Sequence, residues 1–322
     1  MKTLVTGATG FVGSHLAEAL RRRGDEVTVL ARSAAKAAAL APLAVRVVPG
    51  DLHDRAALLR AVEGQDIVYH VAGVVAARSE ADFLAANRDG TRNLVEAMLA
   101  AGARRVVLVS SMAAAGPTIR GRPLRGDELP RPVTAYGRSK LAAERVVTES
   151  SLAWSIVRPP MVYGPRDQEV LKVFRLARLG IAPVLGDGTQ ELCAVFGPDL
   201  AGALIATGTS AATVGRTYYA CHPDVFTGAD MARAVGLTMG KRPAVIRVPA
   251  TIGRGVLMVT EAAARLAGQT TILTADKANE FFQPAWTGDP STLTRDTGWS
   301  AAHDLRTGLE ATYSWYRTAG WL

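Results

Sequence analysis

The stretch that decides the fold is MKTLVTGATGFVGSHLAEAL, Met1 to Leu20. Thr3-Leu4-Val5 is short and apolar, as a buried strand is. Beyond a turn, Val12, Leu16, Ala19 and Leu20 recur at helical spacing around Ser14, His15 and Glu18. Gly7, Gly10 and Gly13 therefore fall at a strand-to-helix turn. Such a turn aims free backbone N–H groups and the positive end of a helix dipole at one point, which suits an anion. Without β-carbons, a pyrophosphate can approach the main chain closely. A tight turn with close helix packing would explain the same glycines, so the rest of the chain has to choose.

Outward from that turn, strand and helix patterns alternate. Strands are expected at Glu26–Leu30, Val45–Val48, Asp66–Val71, Arg105–Val109 and Trp154–Val157. Helices are expected in the alanine-rich stretch after Ala31 and at Arg55–Glu63, Phe83–Ala101 and Gly137–Ser150. This alternation predicts an α/β fold, a Rossmann doubly wound parallel sheet. After Arg158 the pattern loosens. A strand near 216–222 rejoins the sheet, and helices at Thr227–Met239 and Pro249–Leu266 belong to a smaller C-terminal substrate lobe. The expected division is a dinucleotide-binding domain over residues 1–165 and a mainly substrate-binding lobe over 166–322.

Composition narrows the function classes. The 322 residues are 48% hydrophobic and 20% charged, ample for a globular core. No secretory leader pattern opens the chain, and no run of ~18 uncharged apolar residues occurs, so no integral membrane segment is expected. A cytoplasmic location is the matching expectation. Cys193 and Cys221 have no partner at metal-ligand spacing and read as two buried thiols; no metal is expected. The net charge of +8 is spread along the chain and is read as solvated surface and attraction for an anionic cofactor, not as a nucleic-acid site.

Three features carry chemistry. An acid usually ends the second strand of an NAD-preferring dinucleotide fold. Here Ala31-Arg32 stands in that place with Lys36 nearby, which favours NADP, with NAD possible. Arg32 either grips a 2′-phosphate or stacks on adenine. Asp51, after the third strand, is read as an adenine contact, a helix N-cap, or both. Second, Tyr136 and Lys140 are four residues apart and share one helix face. Lowering a tyrosine pKa by about three units takes ~4 kcal/mol. A unit charge ~4 Å away supplies a similar amount at an effective dielectric of ~20, so Lys140 is of the right size to make Tyr136 an acid/base. Third, the strand Val107-Leu108-Val109 ends in Ser110-Ser111, and a hydroxyl there can donate to a substrate oxygen.

Together these residues resemble the extended short-chain dehydrogenase/reductase family, the NAD-dependent epimerase/dehydratase-like proteins. Thr6–Gly13 matches its TGxxGxxG turn and Tyr136/Lys140 its YxxxK pair. Gly50-Asp51-Leu52, His70-Val71-Ala72-Gly73 and Asn87-Arg88-Asp89-Gly90-Thr91 follow in the family's order. Asp296-Thr297-Gly298-Trp299 resembles its late LGW segment, with Thr297 in place of leucine. The resemblance implies catalytic roles for Ser111 (substrate oxyanion, preferred to Ser110), Tyr136 (proton donor or acceptor) and Lys140 (cofactor ribose and Tyr136 pKa). It implies cofactor contacts from Gly7, Thr9, Gly10, Phe11, Val12, Gly13, Arg32, Asp51, Leu52, Ala72, Tyr136, Lys140 and Pro159, and substrate contacts from Ser111, Met161 and Tyr163. It also implies a homodimer through the helices of Phe83–Ala101 and Gly137–Ser150.

Arg158-Pro159-Pro160-Met161-Val162-Tyr163-Gly164-Pro165 resembles the 3β-hydroxysteroid dehydrogenase and dihydroflavonol reductase-like members. Their sugar-nucleotide relatives usually place an asparagine near Met161. The expected function is hydride transfer between a nicotinamide cofactor and a mostly apolar alcohol or ketone, with Leu257, Met258 and Phe281-Phe282 as lining. Arg166 and Arg175 favour the alternative, a nucleotide-sugar epimerase or dehydratase, because either can bind a diphosphate. A non-catalytic dinucleotide-binding regulator is the third reading. Both Tyr136 and Lys140 are retained, which speaks against it.

Overall fold

The computed structural model describes residues 1–322, the side chain of Ala34 excepted. Strands β1 (Lys2–Thr6), β2 (Glu26–Ala31), β3 (Arg46–Pro49), β4 (Ile67–His70), β5 (Arg105–Val109), β6 (Ala153–Arg158) and β7 (Arg216–Tyr219) form one sheet. Their order is β7-β6-β5-β4-β1-β2-β3, and every pairing is parallel. All carboxyl ends therefore lie at one edge. The chain reverses direction across the sheet between β1 and β4, which opens a crevice at that edge.

Side chains alternate between the two faces as a pleated strand requires. Val5, Val29, Tyr69 and Val107 face one core, whereas Leu4, Leu30, Val68 and Leu108 face the other. Helix α1 (Phe11–Arg23) covers the first face, and α2 (Arg55–Val62), α3 (Gly90–Ala101) and α4 (Ala135–Thr148) cover the second. The long helix expected at Phe83–Ala101 is three pieces: an α turn at Glu80–Leu84, a π turn at Ala85–Asp89, then α3. The alanine-rich stretch yields only Ala34–Ala38 and a 3-10 turn at Ala41–Leu43, because Pro42 interrupts it.

Helix α5 (Gln168–Arg178) opens the smaller lobe, but α6 (Gly197–Thr209) returns to the sheet and packs Leu200 and Leu204 with Leu16 and Leu20 of α1. Helices α7 (Gly228–Thr238), α8 (Ala250–Leu266) and α9 (Leu305–Thr318) complete the lobe. Its own core gathers Val170, Phe174, Phe196, Val235, Leu309 and Tyr316. No helix among the described residues is long and apolar enough to cross a membrane.

Candidate active site

The glycine turn is shaped by two close approaches. Gly7 has φ +75°, and a β-carbon there would sit 2.7 Å from the Ala72 nitrogen across the crevice. One on Gly13 would collide with the Gly7 carbonyl at 2.2 Å. Gly10 differs: its β-carbon would meet only the Gly7 oxygen, at 3.3 Å, leaving open space beyond. Gly10 also starts α1 with no side-chain cap and no acid in the first turn. The N–H groups of Phe11, Val12 and Gly13 thus remain at an uncapped helix start that a diphosphate fits.

A buried chain of hydrogen bonds holds the crevice. Thr91 donates to the Asn87 carbonyl at 2.6 Å, so its oxygen accepts from Nε2 of His70 at 2.9 Å. Nδ1 of His70 then accepts from Thr6 at 2.7 Å, and Thr6 in turn accepts from the Ala72 N–H at 3.2 Å. Burial, with Lys140 nearby, pushes His70 down to about 3, so it is a neutral relay of fixed tautomer. Asn87, in the π turn, clamps Val74 through both its N–H and its carbonyl and donates to Ser139 at 2.9 Å.

At the carboxyl end of β5, Ser110 and Ser111 part company. Ser110 is buried and donates to Glu144 at 2.5 Å; Glu144 also receives Arg158 at 2.6 Å. Ser111 caps the short helix Met112–Ala115, and its hydroxyl interacts with the phenol of Tyr136. Tyr136 and Lys140 stand on one face of α4, which Thr134 caps by accepting from Gly137 at 3.1 Å.

The electrostatics depart from expectation. Burial pushes Tyr136 up to about 12, with Ser111 pulling it down and Glu280 pushing it up. The lowering expected from Lys140 is not found, because its ammonium is turned to the Val109 carbonyl at 2.7 Å. Burial holds Lys140 itself down to about 8. The opposite wall comes from the C-terminal lobe. Glu280 accepts from Thr134 at 2.5 Å and pairs with Lys277, whose ammonium lies 5.1 Å from the Tyr136 ring centre. Asp276 accepts from the Ala135 N–H at 2.8 Å. Sequence reading missed these three residues. The only signal was an acid–lysine–acid run in an otherwise apolar region.

Other expected residues fall variously. Arg32 follows β2, exposed and without an ion pair among the described residues. Asp51 is not a helix cap: Asp54 caps α2, and Asp51 accepts from the N–H groups of His53 and Asp54. Leu52 packs under Gly90, and the Pro159 carbonyl accepts from Met112 at 3.0 Å. Met161 is half-buried at the head of a short strand beside Ala194. Tyr163 is corrected as a substrate contact: it is buried against Phe196, and its hydroxyl donates to the Asp304 carbonyl at 3.0 Å. Arg166 is engaged with Glu18 at 3.0 Å and with His15, and Arg175 reaches the Trp321 carbonyl. Phe282 packs under Gly253 and Met258 points outward, whereas Leu257 is buried. Cys193 and Cys221 are buried free thiols, and no metal-binding cluster occurs among the described residues.

A dinucleotide cradle at the switch point of a parallel sheet, with a tyrosine and a lysine at its rim, defines an NAD(P)-dependent oxidoreductase of the extended short-chain type. Comparison with known proteins agrees: the model of the NAD dependent epimerase/dehydratase family matches residues 3–220. The chain is 35% identical over 321 residues to ceramide reductase of Caulobacter vibrioides, covering 99% of this chain and 95% of that one. It is 27% identical to 2-alkyl-3-oxoalkanoate reductase of Shewanella oneidensis, over 95% and 84% of the two chains. Among solved structures it resembles MoeE5 in complex with UDP-glucose and NAD, with a TM-score of 0.80, 26% identity and 99% of each chain covered. The chain belongs to the NAD dependent epimerase/dehydratase family.

Proposed function

We propose that this enzyme reduces the carbonyl of a mostly apolar, uncharged substrate with NADPH. The observation that carries this is the meeting of Ser111, at the carboxyl end of β5, with Tyr136, on α4, at the same edge of the sheet as the glycine turn. Burial pushes the Tyr136 phenol up to about 12, so it holds its proton at neutral pH until a carbonyl oxygen that gains charge accepts it. When bound, the cofactor supplies the hydride for the carbonyl carbon. Tyr136 gives its proton to the carbonyl oxygen, Ser111 donates a hydrogen bond to that oxygen as charge develops, and the product is the alcohol. Gly7–Gly13 would hold the diphosphate, Lys140 the nicotinamide ribose, Ala72 and Pro159 the walls of the crevice, and Asp51 the adenine.

The substrate class rests on what is occupied. Arg166 and Arg175, the two candidates for a substrate diphosphate, are bonded elsewhere, and Met161 offers no amide. Relatives named ceramide reductase and 2-alkyl-3-oxoalkanoate reductase support reduction of a mostly apolar substrate. The second name denotes a carboxylate and bears on the reduction, not on the absence of charge. For the cofactor, Arg32 in place of an acid supports NADP over NAD. Fluorescence titration tests this: NADPH should bind tighter than NADH by about 10–100-fold, the worth of a charge-assisted hydrogen bond. Arg32→Asp should remove that preference. Equal binding of the two cofactors by the parent protein would contradict the assignment of Arg32.

A further inference from the structure

Helix α8 buries only Gly253 and Leu257 against the lobe. Ile252, Val256, Met258, Val259 and Leu266 are each 56% to 91% exposed. At ~100° per residue these five, with Thr251, Gly255 and Ala262 between them, form one continuous arc of roughly 160°. Scattered exposed apolar residues need no explanation, but a contiguous face does. Arg254 and Arg265 stand along one edge of this arc. Between Lys241 and Gly268 the chain carries five cations, Lys241, Arg242, Arg247, Arg254 and Arg265, against the single acid Glu261. Glu261 is itself paired with Arg265 at 2.5 Å.

The helix itself, through residues off this face, touches the loops that lead to the site. The Ala275 N–H, one residue before Asp276, donates to Glu261 of α8 at 2.8 Å. Arg78 donates to the Gly268 carbonyl just beyond the helix, at 2.9 Å. Five residues upstream, a β-carbon on Gly73 would lie 3.6 Å from the Lys140 ammonium. One loop thus runs from the catalytic lysine to the end of α8.

We infer that this face of α8 seats the enzyme on an anionic lipid bilayer. The apolar arc enters the boundary between headgroups and acyl chains, and Arg254 at its edge, 5.5 Å from the Phe282 ring and in no ion pair among the described residues, meets lipid phosphates. The helix is too short and too charged to span, so it lies in the surface. A second copy is a poorer occupant, because a two-fold axis through this face would set the same cations against each other. The inference does not depend on which carbonyl is reduced.

Co-sedimentation of the full chain with vesicles tests it, comparing phosphatidylcholine alone with phosphatidylcholine plus phosphatidylglycerol. Binding should favour the anionic vesicles by roughly tenfold or more and weaken with salt. The triple variant Ile252→Ser/Val256→Ser/Val259→Ser should lose roughly tenfold in binding, with turnover of a short, water-soluble ketone unchanged. Arg254→Glu, a change outside the core, should weaken the preference for anionic lipid. No binding to anionic vesicles would overturn the inference, as would equal binding by the triple variant. A parent dimer that the triple variant splits into monomers would assign the face to a second copy instead.

Discussion

On the sheet side of the cleft, the polar groups are buried and paired with one another. Glu144 takes Arg158 and Ser110, and His70 is held between Thr6 and Thr91. On the lobe side, Glu280 and Lys277 reach Tyr136 from the segment that follows α8, whose outer face is exposed and apolar. The sheet wall is held in one arrangement, since moving any one group strands a partner in a low-dielectric interior. The lobe wall bears on the charge felt by Tyr136 through Glu280. Substitutions on the first wall should therefore be severe, and on the second graded.

The largest effect belongs to Tyr136→Phe. It should lower turnover by about 10²–10⁴-fold, the range of a general acid, while cofactor affinity stays largely unchanged. Full activity in this variant would place the proton donor elsewhere. Next is Glu144→Ala. Arg158 and Glu144 are only 5% and 4% exposed, so the change leaves a guanidinium buried without its partner. Urea unfolding should show a loss of about 3–5 kcal/mol. A loss under ~1 kcal/mol would mean that the sheet wall is less tightly coupled than described.

The smallest effect is expected from Glu280→Gln on the lobe wall. The amide would retain an oxygen for Thr134, but the negative charge that pushes the Tyr136 phenol up would be gone. The phenolate becomes easier to form, so the Tyr136 pKa falls. The pH of half-maximal alcohol oxidation, which needs the deprotonated phenol, should then move to lower pH. An unmoved or upward-shifted profile would remove Glu280 from the electrostatics of the site.

The elements that carry the sheet wall were legible in the sequence because their signals are local, whereas the pairing of Glu144 with Arg158 and Ser110, across 14 and 34 residues, was not. Strand and helix periods, the Gly7–Gly13 turn and the four-residue spacing of Tyr136 and Lys140 all lie within single elements or their junctions. The lobe wall was not legible. Glu280 meets Thr134 across 146 residues, and no period or spacing reports such a contact. Tyr163 misled because burial deepens along one face of its strand: Met161 is half-buried, whereas Tyr163, two residues on, inserts into the lobe core. Charge magnitude alone also misled for Lys140. A lysine four residues away has the strength to lower a tyrosine pKa, but its ammonium is directed to Val109, so burial decides the outcome.

The most direct measurement follows a deuterium label. Reduced cofactor carrying deuterium at the transferred position is incubated with the enzyme and a long-chain ketone, with UDP-glucose in a parallel reaction. An alcohol with one deuterium on its carbinol carbon is expected, with one oxidised cofactor for each alcohol formed and the UDP-sugar unchanged. Interconversion of the UDP-sugar with the deuterium left in the cofactor would contradict the proposed reduction.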